Sequence, residues 1–161
     1  MIKCDKKGVT VRETVVSRVI NEISLKLPSL SVNESVARSV CAGFCAQLDP
    51  TATEIADVKC AVSEAVTNAI VHGYRDEIGI IYINVRVYEE RVVRIDIRDK
   101  GRGIEDVKRA RQPLFTTDAE NERSGMGFTV MESFCDSVRV SSRLGKGTSV
   151  TLIKRFSERT I

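Results

Sequence analysis

Two short runs, Ile80–Tyr88 and Val92–Arg98, alternate apolar and polar residues, and only Glu89-Glu90-Arg91 separates them. Alternation sends successive side chains to opposite faces of a strand, so each run buries one face and wets the other. A connection this short cannot make the crossover a parallel pair needs, so the two runs form an antiparallel hairpin. Whatever else the chain does, it must cover the apolar face of that hairpin.

The remaining pattern supplies the cover. Ile55, Val58, Val62, Ala65, Val66, Ala69 and Ile70 recur at helical spacings and make one apolar stripe. Thr51-Ala-Thr-Glu54 reads as the capping box that opens this helix, and Ser31-Val-Asn-Glu34 reads as the box of an earlier one. The earlier helix is expected to reach about Leu48, with Val36, Val40, Phe44 and Leu48 inward. Ile23, Leu25 and Leu27 alternate as a first strand that Pro28 stops. After the hairpin come the Asp99–Gly103 turn, a short helical stretch from Glu105 and a polar loop from Gln112 to Arg123. A last helix reaches about Cys135, and strands Ser137–Ser142 and Thr148–Lys154 flank a glycine turn. Hairpins with helices that can all lie on one side predict an α/β fold. The architecture is a two-layer sandwich of a mixed, mainly antiparallel sheet with helices on one face. Residues 1–18 read as a poorly ordered extension, and 19–161 as one domain.

At 161 residues the chain has about one domain's length and can bury a sufficient core without staples. No apolar run approaches the ~18 residues of a membrane span, and no signal-peptide core is present, so a soluble cytoplasmic protein with no membrane partner is expected. Net charge is +3, from 25 basic and 22 acidic side chains. Residues 1–18 hold five basic and two acidic groups, which leaves the rest balanced at 20 each. A nucleic-acid binder carries its basic excess on the folded part, so direct nucleic-acid binding is not expected. The five cysteines form no C-x-x-C pair and the sole histidine is His72, which excludes a clustered zinc site.

Four pieces carry chemistry. Glu64, Asn68 and His72 stand at i, i+4 and i+8, each about 40° on around the helix, as a polar stripe beside the apolar one. Glu64 alone is also compatible with a solvated helix edge. An acid and an amide one turn apart could equally set a general base beside a magnesium ligand, since Mg²⁺ takes oxygen donors and shares them with phosphates. Asp99-x-Gly101-x-Gly103 follows a strand, where a carboxylate could accept a hydrogen bond from an exocyclic amine and glycines let backbone approach a flat base. It also reads as an ordinary turn. Ser124-Gly125-Met126-Gly127 opens a helix whose free amides suit phosphate, or simply caps it. The polar loop between the glycine pieces suits a mobile cover. No Walker-type phosphate loop occurs.

In this order, Glu64-Ala-Val-Thr-Asn68-Ala-Ile-Val-His72-Gly-Tyr, Arg98-Asp-Lys-Gly-Arg-Gly-Ile104 and Ser124-Gly-Met-Gly-Phe128 resemble the three nucleotide boxes of the GHKL (Bergerat-fold) ATPase superfamily. Ala110-Arg-Gln-Pro-Leu-Phe-Thr-Thr117 with Glu122-Arg-Ser-Gly-Met-Gly-Phe128 is similar, within it, to the sporulation anti-sigma serine kinases, over about residues 21–154. The resemblance implies ATP or ADP with Mg²⁺ as cofactors. Glu64 would be the base, Asn68 the Mg²⁺ ligand and Asp99 the adenine-reading carboxylate. Gly101 and Gly103 would shape the base pocket, and Ser124, Gly125, Met126 and Gly127 would face the phosphates. Thr148 would lie near the adenine, and Arg38 and Arg123 would touch protein partners. His72 would be structural. It further implies a sigma factor as one partner, an anti-anti-sigma factor phosphorylated on serine as another, and a homodimer as the working unit. The alternatives are a stress-response anti-sigma kinase with another sigma partner, and a non-catalytic module that sequesters a partner in an ATP-dependent way.

Overall fold

The computed structural model describes residues 18–113 and 125–158. Residues 114–123 of the expected cover loop, Arg123 among them, and Ser124 lie outside the described residues, as does nearly all of the expected extension. Five strands form one sheet: β1 (Val19–Pro28), β2 (Ile80–Tyr88), β3 (Val92–Arg98), β4 (Ser137–Arg143) and β5 (Gly147–Arg155). Their order across the sheet is β1-β2-β3-β5-β4, and all four pairings are antiparallel. The mainly antiparallel sheet is as expected, but the parallel component of a mixed sheet is absent among the described strands. The physical reason is connectivity. β2–β3 and β4–β5 pair as hairpins, β1 lies antiparallel to β2 across the two helices between them, and β5 enters between β3 and β4 antiparallel to both.

The β2–β3 hairpin has the expected bounds, with Tyr88 facing Val92 and Tyr82 facing Arg98. Its turn carries Glu90 and Arg91 at positive φ, 61° and 60°. Left-handed backbone costs a non-glycine residue roughly 1–2 kcal/mol. Here the turn is held from outside, since the Arg91 guanidinium donates to the Asp49 carbonyl at 2.9 Å and Phe156 N–H donates to the Arg91 carbonyl at 2.9 Å. β1 begins at Val19, earlier than the alternation of Ile23, Leu25 and Leu27 indicates, because its pairing runs along all of β2 to Tyr88.

One face of the sheet buries Ile81, Ile83, Val85, Val87, Val93, Ile95, Ile97, Val150 and Leu152. Three helices cover it: α1 (Val32–Cys45), α2 (Ala52–Asn68) and α4 (Gly127–Phe134), with the single turn α3 (Val107–Ala110) at the side. The α2 stripe is as expected, with Val58, Val62, Ala65, Val66 and Ala69 buried. The α1 stripe is so only in part: Leu48 is buried and Phe44 packs on the core as expected, but the valines do not lead it. Ala37, Cys41, Ala42 and Cys45 point inward, while Val36 is 43% exposed. α1 packs on α2, and small side chains let two helices approach where valines would hold them apart.

The two capping boxes also part ways. Thr51 Oγ1 accepts from Glu54 N–H at 3.2 Å and Glu54 Oε2 accepts from Thr51 N–H at 2.8 Å, so the second box is complete. Ser31 makes no such bond, because its backbone is already helical (φ −56°, ψ −33°). Glu34 turns to Arg38 instead, with Oε1 3.6 Å from Nε.

Candidate functional site

The candidate side chains gather where α2 changes its winding. After Asn68 the helix continues as a π-helix over Ala69–Tyr74, and Arg75 N–H donates to the Ile70 carbonyl at 3.1 Å, five residues back. Such wide turns are rare and frequently sit at functional sites. The wider turn carries Gly73 against the loop that follows β3, where Arg102 N–H donates to the Gly73 carbonyl at 2.8 Å.

Two clusters result. In the first, Glu64 and Asn68 meet the N-terminus of α4. A β-carbon on Gly127 would lie 3.1 Å from Glu64 Oε2 and 3.3 Å from Asn68 Nδ2. Burial raises the Glu64 carboxyl above its ordinary range, and the negative charge of Glu34 on α1 raises it further. A base so raised holds a proton more readily than an exposed carboxylate.

In the second, Asp99 is 4% exposed at the end of β3. Burial raises its carboxyl too, against opposing hydrogen bonds from Gly101 and Thr148. Both reach Oδ1, from Gly101 N–H at 2.9 Å and Thr148 N–H at 3.3 Å. The surroundings are glycine because backbone crowds in. A β-carbon on Gly101 would collide with the Gly73 carbonyl, and one on Gly147 with the Asp99 carbonyl. Gly103, at φ +74°, abuts the Arg143 carbonyl. The Thr148 hydroxyl shares a 2.8 Å hydrogen bond with Ser142 Oγ.

The residues singled out from sequence thus fall together with few exceptions. Glu64, Asn68 and Gly127 form one cluster, with Met126 capping α4 and Gly125 at φ +61° before it. Asp99, Gly101, Gly103 and Thr148 form the other. Arg38 stands apart on α1, paired with Glu34. Gly73, Gly147 and Ser142 went unremarked as site residues. Gly147 carries a signal, being the last glycine of a turn, but Gly73 and Ser142 join the cluster only through contacts with the loop that follows β3, from Arg102 N–H to the Gly73 carbonyl and from Ile104 N–H to Ser142 Oγ. A cleft of about 540 Å³ opens beside this loop, lined by Gly73–Glu77 and Lys100–Arg102 but by none of Glu64, Asn68 or Asp99. Among the described residues no group of three acidic, histidine or cysteine side chains could hold a metal by itself. Asn68 fits the other arrangement, one neutral oxygen offered to an ion that a phosphate chain also holds.

Residues 27–154 match the histidine kinase-like ATPase domain family. The anti-sigma F factor of Anoxybacillus flavithermus is 55% identical over 139 residues, covering 86% of this chain and 94% of that one. The chain belongs to the anti-sigma F factor family. Two further anti-sigma F factors agree, from a Geobacillus species at 57% over 139 residues and from Clostridium acetobutylicum at 51% over 137. They cover 86% and 85% of this chain, and 94% and 95% of theirs. A blue-light activated histidine kinase of Erythrobacter litoralis shares the fold, with a TM-score of 0.50 at 19% identity over 73% of this chain and 40% of that one. The anti-sigma F factor family therefore carries a kinase-like ATPase fold, and this chain has it.

Proposed function

We propose that the chain is a cytoplasmic anti-sigma factor that inhibits a sporulation sigma factor of the F type and is also a protein serine kinase. Using Mg-ATP, it phosphorylates a serine of an anti-anti-sigma factor and so inactivates it. The observation that carries the reading is the first cluster, where an acid with a raised carboxyl, an amide one turn on and a helix N-terminus share one small space. The family membership and the buried Asp99 support it, and no helix among the described residues is long and apolar enough to cross a membrane.

Phosphoryl transfer depends mainly on positioning and charge neutralisation. Bound Mg-ATP would supply the phosphoryl group and the ion that offsets its charge. Asn68 would offer its side-chain oxygen to that ion, and the amides at the start of α4 would face the phosphates. Asp99 would accept a hydrogen bond from the exocyclic amine of adenine, with Thr148 beside it. Glu64 would take the proton of the incoming serine hydroxyl. Arg38, 44% exposed on α1, would contact the protein partners, and two copies of the chain would work as a homodimer.

The test is phosphate transfer from γ-labelled Mg-ATP to an anti-anti-sigma protein. A positioned base contributes about 10²–10⁴-fold, so Glu64→Gln should lower transfer by that much while ATP still binds. Wild-type rates in the variant, or equal loss of transfer and binding, would remove Glu64 from its role. Asp99→Asn should weaken ATP binding first, and unchanged affinity would take Asp99 out of the base pocket.

A further inference from the structure

Asp99 can discriminate a base only if its carboxylate is held at one angle, and the backbone that holds it is tied down residue by residue. Asp99 N–H donates to the Thr148 carbonyl at 2.9 Å, Gly101 N–H to Asp99 Oδ1 at 2.9 Å and Arg102 N–H to the Gly73 carbonyl at 2.8 Å. The amide between them, Lys100 N–H, donates at 2.9 Å to the hydroxyl of Tyr74. That hydroxyl in turn donates to the Ile80 carbonyl at 2.6 Å, at the start of β2. Of the four consecutive amides, Lys100 alone depends on a side chain from a different element.

Tyr74 reaches this position for two reasons. It closes the π-helix, so the wide turn delivers its ring across the chain. Its ring also lies over Gly79, where a β-carbon would collide with the aromatic edge. Gly73, its chain neighbour, stands directly against the Asp99 carboxylate, where a β-carbon would be 3.0 Å from Oδ1. A fully wound α-helix would not bring both residues to the loop.

We propose that Tyr74 is a positioning residue for base selectivity, its hydroxyl clasping the Lys100 amide so that Asp99 presents its carboxylate to an exocyclic amine. This rests on the reading of Asp99 as the base-recognising group. Tyr74→Phe keeps the ring over Gly79 and removes only the hydroxyl, leaving the Lys100 amide and the Ile80 carbonyl without that partner. Both bonds lie within the protein, so their loss reaches affinity only as far as binding needs the loop held in place, by up to about tenfold for a bond of ordinary strength.

The experiment measures ATP, GTP and inorganic tripolyphosphate binding to wild type, Tyr74→Phe and Asp99→Asn, with a thermal melt of each. Tyr74→Phe is expected to lower the ATP-to-GTP affinity ratio severalfold, by up to about tenfold, while tripolyphosphate binds as before. An unchanged ratio, or an equal loss for all three ligands, overturns the proposal and leaves Tyr74 a structural clasp. If Asp99→Asn lowers the ratio and Tyr74→Phe does not, the positioning role fails alone. If Asp99→Asn leaves the ratio unchanged, the base-pocket reading fails and takes the proposal with it. A second measurement needs no variant: hydrogen exchange at the Lys100 amide of wild type, with and without adenosine. Adenosine should slow it severalfold, and exchange indifferent to adenosine counts against the clasp.

Discussion

Burial works on the carboxyls of Glu64 and Asp99 in the same direction but for different ends. Glu64 sits half-buried beside α4 with Glu34 adding like-charge repulsion, so its proton leaves at a higher pH than that of a free glutamate. A general base works only when deprotonated. Phosphotransfer should therefore fall on acidification through the raised Glu64 value, earlier than an ordinary glutamate would require. Removing the Glu34 charge relieves part of the cause, so Glu34→Gln should move the acid limb of kcat/KM to lower pH. A limb that stays in place would show that burial alone sets it. Glu64 and Asn68 were legible because helical spacing is read directly from residue numbers. The role of Glu34 was not, since it looked like the end of a capping box and acquires its neighbour only when α1 lies on α2.

Among the elements, the two capping boxes offer a controlled comparison. They read alike in sequence, yet only Thr51–Glu54 closes. Thr51→Ala should cost about 1 kcal/mol of stability, as cap losses do, whereas Ser31→Ala should stay within about 0.5 kcal/mol. Equal effects in chemical denaturation would contradict the geometry. Glu54 does more than cap. Burial works to raise its carboxyl, but hydrogen bonds from Ser157 and Thr51 outweigh it and hold the value at about 2. Ser157 N–H donates to Glu54 Oε1 at 2.7 Å, so one side chain ties the segment after β5 to the start of α2. The folded value lies below the unfolded one. Its stabilisation is thus present above about pH 4.5 and lost as pH falls towards about 2. Glu54→Gln should flatten that part of the stability–pH curve.

At the scale of the molecule, charge and thiols are sorted by layer. The outward face of the sheet carries Lys26, Arg86, Arg94, Arg98, Arg139 and Arg143 against Glu22 and Asp96, while α1 and α2 carry Glu34, Glu54, Asp57 and Glu64 against Arg38 and Lys59. The even balance of residues 19–161 is therefore an average over two unlike faces. Burial pushes the thiols of Cys41, Cys45 and Cys135 up to about 12, and Cys60 is the exposed one of the four described. Only thiolates react readily, so a thiol reagent on the folded protein should label Cys60 in preference to the other three, which should follow on unfolding. Rapid native labelling of Cys41 or Cys45 would show that α1 opens.

Whatever depends on local period is legible from residue order alone: the hairpin bounds, the α2 stripe, the order of elements and the spacing of Glu64 and Asn68. Alternation of two and periodicity of 3.6 are properties of a single element, and they survive in any fold that keeps the element. The remaining features arise where two elements meet. Which way α1 faces was set by the close approach of α2. That β5 enters between β3 and β4 was set by long-range pairing. The π turn that brings Gly73 and Tyr74 to Asp99 belongs with these, because six consecutive residues give no sign of widening their helix until a strand-end loop lies beside them to take up the hydrogen bonds.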